Sequence, residues 1–470
     1  MFMDYAEALH YLLSFTNLAF SRSVPYSKRI WDLSHMETLM AAMGDPHRDF
    51  ASVHIAGTKG KGSTAAMIES ALRYAGIRPG LYTSPHLHTF RERMRVNGHL
   101  MTKTRWVEGV ARLQDIVPTL DFRPTLFELL TSLAFWYFSV EEVPLAVVEV
   151  GLGGRLDSTN ILTPDIALIT SLGLEHTHIL GDTLSDIARE KGGIIKPGVP
   201  VVVAPQPEEA MRVLDGLAAE KGAPLVALGR DWQYRIEHVT PAGMSISVWS
   251  ESTCYRHVDV ALRGMHQAVN AAMSIVALHH LRERGWPVEE EHIRQGLRYV
   301  YWPGRMEVLQ RQPVLLLDGA HTVESVERLV DGIYRWLPHE NLHVIFGVSA
   351  DKRIPDLLDV LWPHADTLHI TRSEHPRAAT PDQILEHVPV GPGPDVYTYV
   401  LVEDALATTL RMAGPDDLIC ACGSIFLAAA VREVWAHVYG RLPEGDWAYE
   451  SDFHLIRSPL AEPAPSRLRK

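Results

Sequence analysis

From about residue 50 onward, short apolar runs alternate along the chain with stretches of helical periodicity. The runs Val53–Ala56, Gly80–Thr83, Leu145–Val150, Ile166–Thr170, Pro200–Ala204, Val314–Leu317, His343–Phe346, Leu368–Thr371 and Leu418–Cys422 read as strands. Several lack a polar residue at every second position, the pattern of strands buried on both faces. Helical patterns lie between many of them, such as Thr64–Ala75 before Gly76 and Ser185–Lys191 before Gly192-Gly193. Glycine after a helix suits the left-handed C-terminal cap, so both sites predict one. The β-then-α alternation predicts α/β architecture with mostly parallel sheets covered by helices. Residues 228–262 break the rhythm, with Thr240-Pro241-Ala242-Gly243 between alternating runs, and predict a small antiparallel subsheet.

Pro and Gly interrupt a helical pattern at Trp302-Pro303-Gly304-Arg305, just before a new strand–helix series. That is the expected domain boundary. Residues 1–302 are expected to form an N-terminal domain, 303–445 a C-terminal α/β domain, and 446–470 a Pro-rich disordered tail.

Composition narrows the classes. A chain of 470 residues exceeds the roughly 250–300 residues at which single cores stop growing, which agrees with two domains. Its formal net charge of −13 argues against sequence-independent binding to nucleic acid. Three cysteines cannot build a disulfide framework, which suits a reducing compartment. No uncharged apolar stretch reaches the roughly 18 residues of a membrane span, and the N-terminus lacks the basic region of a signal peptide. A cytoplasmic location with no membrane partner is the expectation.

The strand Val53–Ala56 runs into Gly57-Thr58-Lys59-Gly60-Lys61-Gly62-Ser63-Thr64, followed by a helix. Glycines let backbone N–H groups curl around phosphate oxygens, and the helix N-terminus adds partial positive charge. Lys61 is placed to reach a β- or γ-phosphate, and Ser63 or Thr64 to donate to phosphate oxygens. The spacing departs from G-x-x-x-x-G-K-[ST], because Ile55 takes the first glycine's place and Gly62 separates Lys61 from Ser63. A glycine-rich αβ turn without a ligand is the plain alternative.

Three further strand ends carry polar groups: Glu149 before Gly151-Leu152-Gly153-Gly154, Glu175-His176 after Ile169-Thr170, and Ser84 after Tyr82-Thr83. Ligands of open α/β sheets bind outside such carboxyl ends. Magnesium prefers oxygen donors, so Glu149 and Ser84 suit it better than the His176 imidazole. Each is otherwise an ordinary strand-end acid, capping serine or loop histidine. Asp318 closes Val314–Leu317 and could accept ribose hydroxyl hydrogen bonds. Cys420 and Cys422 share one face of a strand and, without further ligands nearby, read as core.

The string His54-Ile55-Ala56-Gly57-Thr58-Lys59-Gly60-Lys61-Gly62-Ser63-Thr64 resembles the ATP loop of the Mur ligase superfamily, and more narrowly that of dihydrofolate synthases and folylpolyglutamate synthases. Asn is usual in that family where Lys59 stands, and Asp where Glu175 stands. Val148-Glu149-Val150-Gly151-Leu152-Gly153-Gly154-Arg155-Leu156-Asp157-Ser158-Thr159-Asn160, Ser84-Pro85-His86-Leu87 and Glu175-His176-Thr177-His178-Ile179-Leu180-Gly181 are similar to its magnesium segments. The resemblance implies a P-loop ATPase-like N-terminal domain and a Rossmann-like C-terminal one. It implies Ser84, Glu149 and His176 as ligands of Mg²⁺, with a monovalent cation as a further candidate. Thr58, Lys59, Gly60, Lys61, Gly62, Ser63, Asn270, Arg305, Asp318 and His321 are the implied ATP contacts. Thr322 departs from the family's usual Asn.

Glu190-Lys191-Gly192-Gly193-Ile194 resembles the segment whose lysine the family carbamylates, with Gly192 replacing the commoner Ala. A carbamate turns a cation into an oxygen ligand; the alternative is a solvated lysine serving the helix dipole. Asp32-Leu33-Ser34, Thr125-Leu126-Phe127-Glu128 and Leu156-Asp157-Ser158 align with segments around a pterin, where Phe127 could stack and Asp157 accept N–H groups.

The implied reaction is glutamate ligation: a folate or pterin carboxylate attacks ATP to give an acyl phosphate, and the amino group of L-glutamate displaces phosphate. Lys191, Lys61 and His176 are the expected catalytic side chains. The expected partners are these small molecules, and the expected state is a monomer. Two other readings stay open, another Mur-type amide ligase and a nucleotide-binding regulatory module without ligation.

Overall fold

The computed structural model describes residues 3–16, 32–439 and 452. Its first sheet comprises β1 (Ala51–Ala56), β2 (Gly80–Tyr82), β3 (Met94–Val96), β4 (His99–Leu100), β5 (Leu145–Glu149), β6 (Ile166–Ile169), β7 (Val201–Val203) and β8 (Leu225–Ala227). Their spatial order is β4-β3-β2-β5-β1-β6-β7-β8. All pairs are parallel except β2–β3 and β3–β4. The antiparallel subsheet expected in residues 228–262 is present as β9 (Gln233–Thr240), β10 (Gly243–Trp249) and β11 (Cys254–Val260). A third sheet holds β12 (Glu307–Arg311), β13 (Val314–Leu317), β14 (Leu342–Phe346), β15 (Thr367–Ile370), β16 (Asp395–Thr398) and β17 (Leu418–Cys422). Its order is β12-β13-β17-β14-β15-β16, parallel apart from β12.

The unalternating apolar runs are strands covered on both sides. In β5, Leu145 and Val147 join one core cluster, while Ala146 and Val148 join another beneath helix Leu126–Val140. In β17, Leu418, Cys420 and Cys422 face one core and Ile419 and Ala421 the other, so the two cysteines are core residues as read. Period two survives, but with both faces buried it is invisible as polarity.

β1 lies between β5 and β6, with Ile55 beside Glu149 and Ala56 beside Ile169. That register brings the ends of three strands, and the loops they launch, to one edge. Helix Lys61–Tyr74 starts three residues before the predicted Thr64, because Gly60 at φ +93° supplies its N-cap. Gly76 has the expected left-handed φ of +73°.

The second predicted glycine cap is corrected. Gly192 lies inside helix Leu184–Gly192, and Gly193 is right-handed at φ −60°. Its lack of a side chain serves close packing instead: a Cβ there would stand 2.4 Å from Arg155 Cβ. Arg155 N–H donates to the Glu190 carbonyl at 2.8 Å, so the loop after β5 lies directly on this helix end. The expected disordered tail falls outside the described residues except for Asp452, which is buried.

Candidate active site

The phosphate loop hangs from β1 and is stitched to the loop after β6. The N–H groups of Thr58 and Lys59 both donate to the Ser171 carbonyl, and Thr58 Oγ1 bonds both backbone groups of Gly173. Lys59 Nζ meets Glu175 Oε1 at 2.8 Å, so two of the residues that depart from the family pattern pair with each other. Behind the loop stands helix His266–Glu283. A Cβ on Gly60 would lie 2.3 Å from Asn270 Oδ1, which demands glycine there in addition to its left-handed φ. Asn270 donates to Gln267, and Gln267 to Ser63 Oγ.

Lys61 Nζ donates to the Gly57 carbonyl at 3.1 Å and stands 3.9 Å from Glu149 Oε1. The other Glu149 oxygen accepts the Ser84 N–H at 3.1 Å. Burial raises the Glu149 pKa, while Lys61 and the Ser84 N–H counteract it. His176 is exposed at a left-handed φ of +53°. Ser84, Glu149 and His176 all line one cleft of about 810 Å³. Among the described residues no group of three or more His, Cys, Asp or Glu side chains could hold a metal unaided.

The same cleft is lined from the C-terminal side by Arg305, Asp318, His321, Lys352, Arg377 and Ser424. Asp318 sits at the end of β13, where its two oxygens accept the N–H groups of Met306 and Ala320, each at 2.8 Å. Desolvation raises its pKa against the pull of Arg305. His321 Nδ1 donates to the Gly319 carbonyl, leaving Nε2 as the acceptor, and burial lowers its pKa to about 4. Thr322, the departure from Asn, is the N-cap of helix Val323–Trp336, a role both residues fill well.

Lys191 does not line the cleft. It is 6% exposed behind the phosphate loop, where Nζ donates to the Gly57 carbonyl at 2.9 Å. That placement overturns the solvated helix-end reading. Burial first, then the nearby Lys61 charge, lowers its pKa to about 7.

The residues expected around a pterin divide between two spaces. Phe127 and Asp157 line the large cleft. Asp32, Leu33, Thr125, Glu128, Leu156 and Ser158 line a separate cavity of about 10 Å³. Ser34 and Leu126 line neither. Asp32, Thr125 and Asp157 are the N-caps of helix Leu33–Ala42, helix Leu126–Val140 and the 3-10 turn Ser158–Ile161. Asp157 also accepts from Leu152 N–H at 2.9 Å, and burial raises its pKa.

Sequence reading passed over five cations of this cleft: Arg93, Arg95, Arg328, Lys352 and Arg377. Arg93 stands just before the three-residue strand β3 and Arg95 at its centre. An arginine between Met94 and Val96 was the available signal, since a charge inside a buried strand needs a reason. Arg95 is 4% exposed and its guanidinium lies 5.1 Å from the centre of the Trp302 ring.

A phosphate loop between two acid-bearing strand ends, facing a second α/β sheet across a cleft, defines a Mur-type ligase. Residues 55–278 match the Mur ligase middle domain and residues 304–425 the Mur ligase glutamate ligase domain. Within that superfamily of carbon–nitrogen ligases, the chain belongs to the dihydrofolate synthase/folylpolyglutamate synthase family. It is 35% identical over 412 residues to the dihydrofolate synthase/folylpolyglutamate synthase of Bacillus subtilis, covering 85% of this chain and 94% of that one. A folylpolyglutamate synthase structure from Thermotoga maritima superposes with a TM-score of 0.80 at 29% identity, over 94% of this chain and 98% of its own. An Escherichia coli relative, solved in complex with DHPP and ADP, superposes with a TM-score of 0.79 at 29% identity, over 91% and 97%.

Proposed function

We propose that this chain uses ATP to join L-glutamate to the carboxylate of a folate-type acceptor through an acyl phosphate. The observation that carries the reading is the convergence of Lys61, Glu149, Ser84, Arg305, Lys352 and Arg377, from both domains, on one cleft beside Phe127. The acceptor carboxylate attacks the γ-phosphorus and ADP leaves. The glutamate amine then attacks the acyl carbon, inorganic phosphate departs, and the amine's surplus proton is lost as the amide forms.

The protein's part is positioning and charge neutralisation. Lys61 exchanges its Gly57 carbonyl for the terminal phosphate oxygens. Arg305 approaches the same phosphates from the hinge. Asp318 has used two of about four lone-pair sites on backbone N–H groups, leaving room for a ribose hydroxyl.

Ser84, Glu149 and His176 would hold a magnesium ion beside the bound nucleotide. A buried carboxylate oriented by the Ser84 N–H is a hard donor, and three protein ligands suffice for such a cation. When bound, magnesium supplies positive charge to the phosphate oxygens.

Lys191 is the candidate carbamate. At a pKa of about 7 a substantial share of the amine is neutral, which is the form that attacks CO₂ and then loses a proton. The carbamate nitrogen keeps one N–H for the Gly57 carbonyl, and the new anion turns repulsion from Lys61 into attraction.

We assign residues 1–302 to the nucleotide-side domain and 303–445 to the glutamate-side domain, in a cytoplasmic monomer acting on small molecules alone. The three free cysteines support a reducing compartment. Among the described residues no helix is long and apolar enough to cross a membrane.

The test offers dihydropteroate and tetrahydrofolate in parallel with ATP and glutamate and weighs the products. Gain of a glutamyl residue with matching ADP is expected; no glutamate-dependent product with either acceptor refutes the reading.

A further inference from the structure

Helix Ile425–Tyr439 begins in the cleft, where Ser424, Ile425 and Phe426 line the wall. Two turns later it delivers Arg432, 1% exposed, to the junction of the two domains. The guanidinium is shared three ways. Nε donates to Glu307 Oε1 at 3.0 Å, Nη2 to the Tyr301 hydroxyl at 2.9 Å, and Nη1 to His88 Nε2 at 3.2 Å. Tyr301 in turn donates to Glu307, whose other oxygen accepts the Gly304 N–H at 2.9 Å. The hinge residues on either side of Trp302–Arg305 are therefore tied to the C-terminal helix and, through His88, to the N-terminal domain.

His88 is held a second time. Its carbonyl accepts the N–H of Asp452 at 2.9 Å. The Asp452 carboxylate, 2% exposed, accepts from Tyr5 Oη at 2.9 Å, Thr89 Oγ1 at 2.8 Å and Phe90 N–H at 2.8 Å. Arginine has no acceptor, so His88 Nε2 must be unprotonated in its bond with Arg432. The proton then sits on Nδ1, which is buried without a partner, so the ring is placed for the arginine at the expense of its other nitrogen.

The segment so held is the loop that carries Ser84. Glu92 closes it from within, accepting the N–H groups of Leu87, His88 and Thr89 at 2.8, 2.8 and 3.0 Å, and Arg93 Nε bonds His86 Nδ1 at 3.0 Å. A displacement of His88 is thus carried to the Ser84 end, and Ser84, Leu87, Glu92 and Arg93 all line the cleft.

We propose that Arg432 and Asp452 form a clasp that sets the 84–93 loop against the C-terminal domain, and that Arg432 is a positioning residue for the amide-forming step. Resting on the ligase reading above, the inference assigns the clasp to keeping the acyl phosphate aligned with the incoming amine and shielded from water. A loosened clasp would leave phosphoryl transfer possible while the intermediate, misaligned, is lost to hydrolysis.

The test uses the full chain with His88→Leu, His88→Gln, Asp452→Ala and Arg432→Lys. His88→Leu cuts only the cross-domain bond and leaves Arg432 paired with Glu307 and Tyr301. ADP released per amide formed should rise about threefold or more in His88→Leu and Asp452→Ala. His88→Gln, whose amide oxygen can accept from Arg432, should restore the wild-type ratio. Arg432→Lys keeps the charge but cannot span three partners, and should uncouple like His88→Leu. Amide hydrogen exchange gives a readout independent of ligation: residues 84–93 should exchange roughly tenfold faster in His88→Leu, with β5 unchanged. A folded His88→Leu with wild-type exchange over 84–93 overturns the clasp, whatever the chain ligates. Faster exchange over 84–93 in His88→Leu with an unchanged ADP-to-amide ratio overturns the positioning role. Absence of glutamate ligation in the wild-type protein would defeat the functional reading alone.

Discussion

Lys61 and Lys191 donate to the same oxygen, the Gly57 carbonyl, from 3.1 and 2.9 Å. Two ammonium groups on one acceptor is an arrangement that two changes relieve: an arriving phosphate draws Lys61 away, or a carbamate removes the charge of Lys191. Burial of Lys191 at 6% exposure makes the second change chemically accessible, because it favours the neutral amine.

Lys191→Arg therefore separates the two views of that position. Guanidinium stays cationic and cannot take up CO₂, so ligation should be nearly lost, as in Lys191→Ala. A short carboxylic acid in the assay should partly restore Lys191→Ala by occupying the vacated space. Near-normal turnover by Lys191→Arg would remove the carbamate from the mechanism.

Lys61→Ala should abolish ligation while leaving the fold intact, since helix Lys61–Tyr74 is N-capped by Gly60 backbone geometry rather than by the lysine. The measurement is turnover at saturating ATP beside the circular dichroism spectrum; wild-type turnover would exclude a role at the phosphates.

Asp318→Ala is expected to raise the ATP constant by roughly 10- to 100-fold, from one charge-assisted hydrogen bond of about 1.5–3 kcal/mol. It should also lower the melting temperature, because the N–H groups of Met306 and Ala320 lose their acceptor. An unchanged ATP constant with a lowered melting temperature would reduce Asp318 to a hinge stitch.

Acid should destabilise the protein in a window that His54 helps to define. This histidine is fully buried in β1, and burial, reinforced by the Lys196 charge, lowers its pKa to about 3. Between the unfolded value near 6.5 and that folded value, the unfolded chain binds the extra proton. Its contribution to stability is thus complete above about pH 6.5 and is lost as pH falls toward about 3. Denaturant titrations across that range should show a shallower acid loss in His54→Gln than in the wild type.

The parts of the site that sequence reading reached are those where local pattern and chemistry coincide. β1, its glycine loop and the following helix form one contiguous signal, and the acids at Glu149 and Asp318 close apolar runs that could only be buried strands. β3, β4, β8, β12 and β16 escaped; β3 and β4 lie in no apolar run, although Asn97-Gly98, at φ +55° and +81°, forms a hairpin turn of the type that pair favours. Lys191 shows the opposite failure. A basic residue in the last helical turn normally faces water; here the phosphate loop, through the Gly57 carbonyl, and the loop after β5, lying on the helix through Arg155 and Gly193, enclose it. The Lys59–Glu175 pair spans 116 residues and His88–Arg432 spans 344, separations at which no local pattern carries information.

Two caps line the small cavity, Asp32 and Thr125, each holding the first turn of a helix. This double duty restricts how the cavity can be reshaped. A mutation that reshapes the cavity by removing one of these side chains also frays a helix, at about 0.5–2 kcal/mol. Exchanges among Asp, Asn, Ser and Thr escape that penalty, so they form the short alphabet in which the cavity wall can drift without loss of the fold.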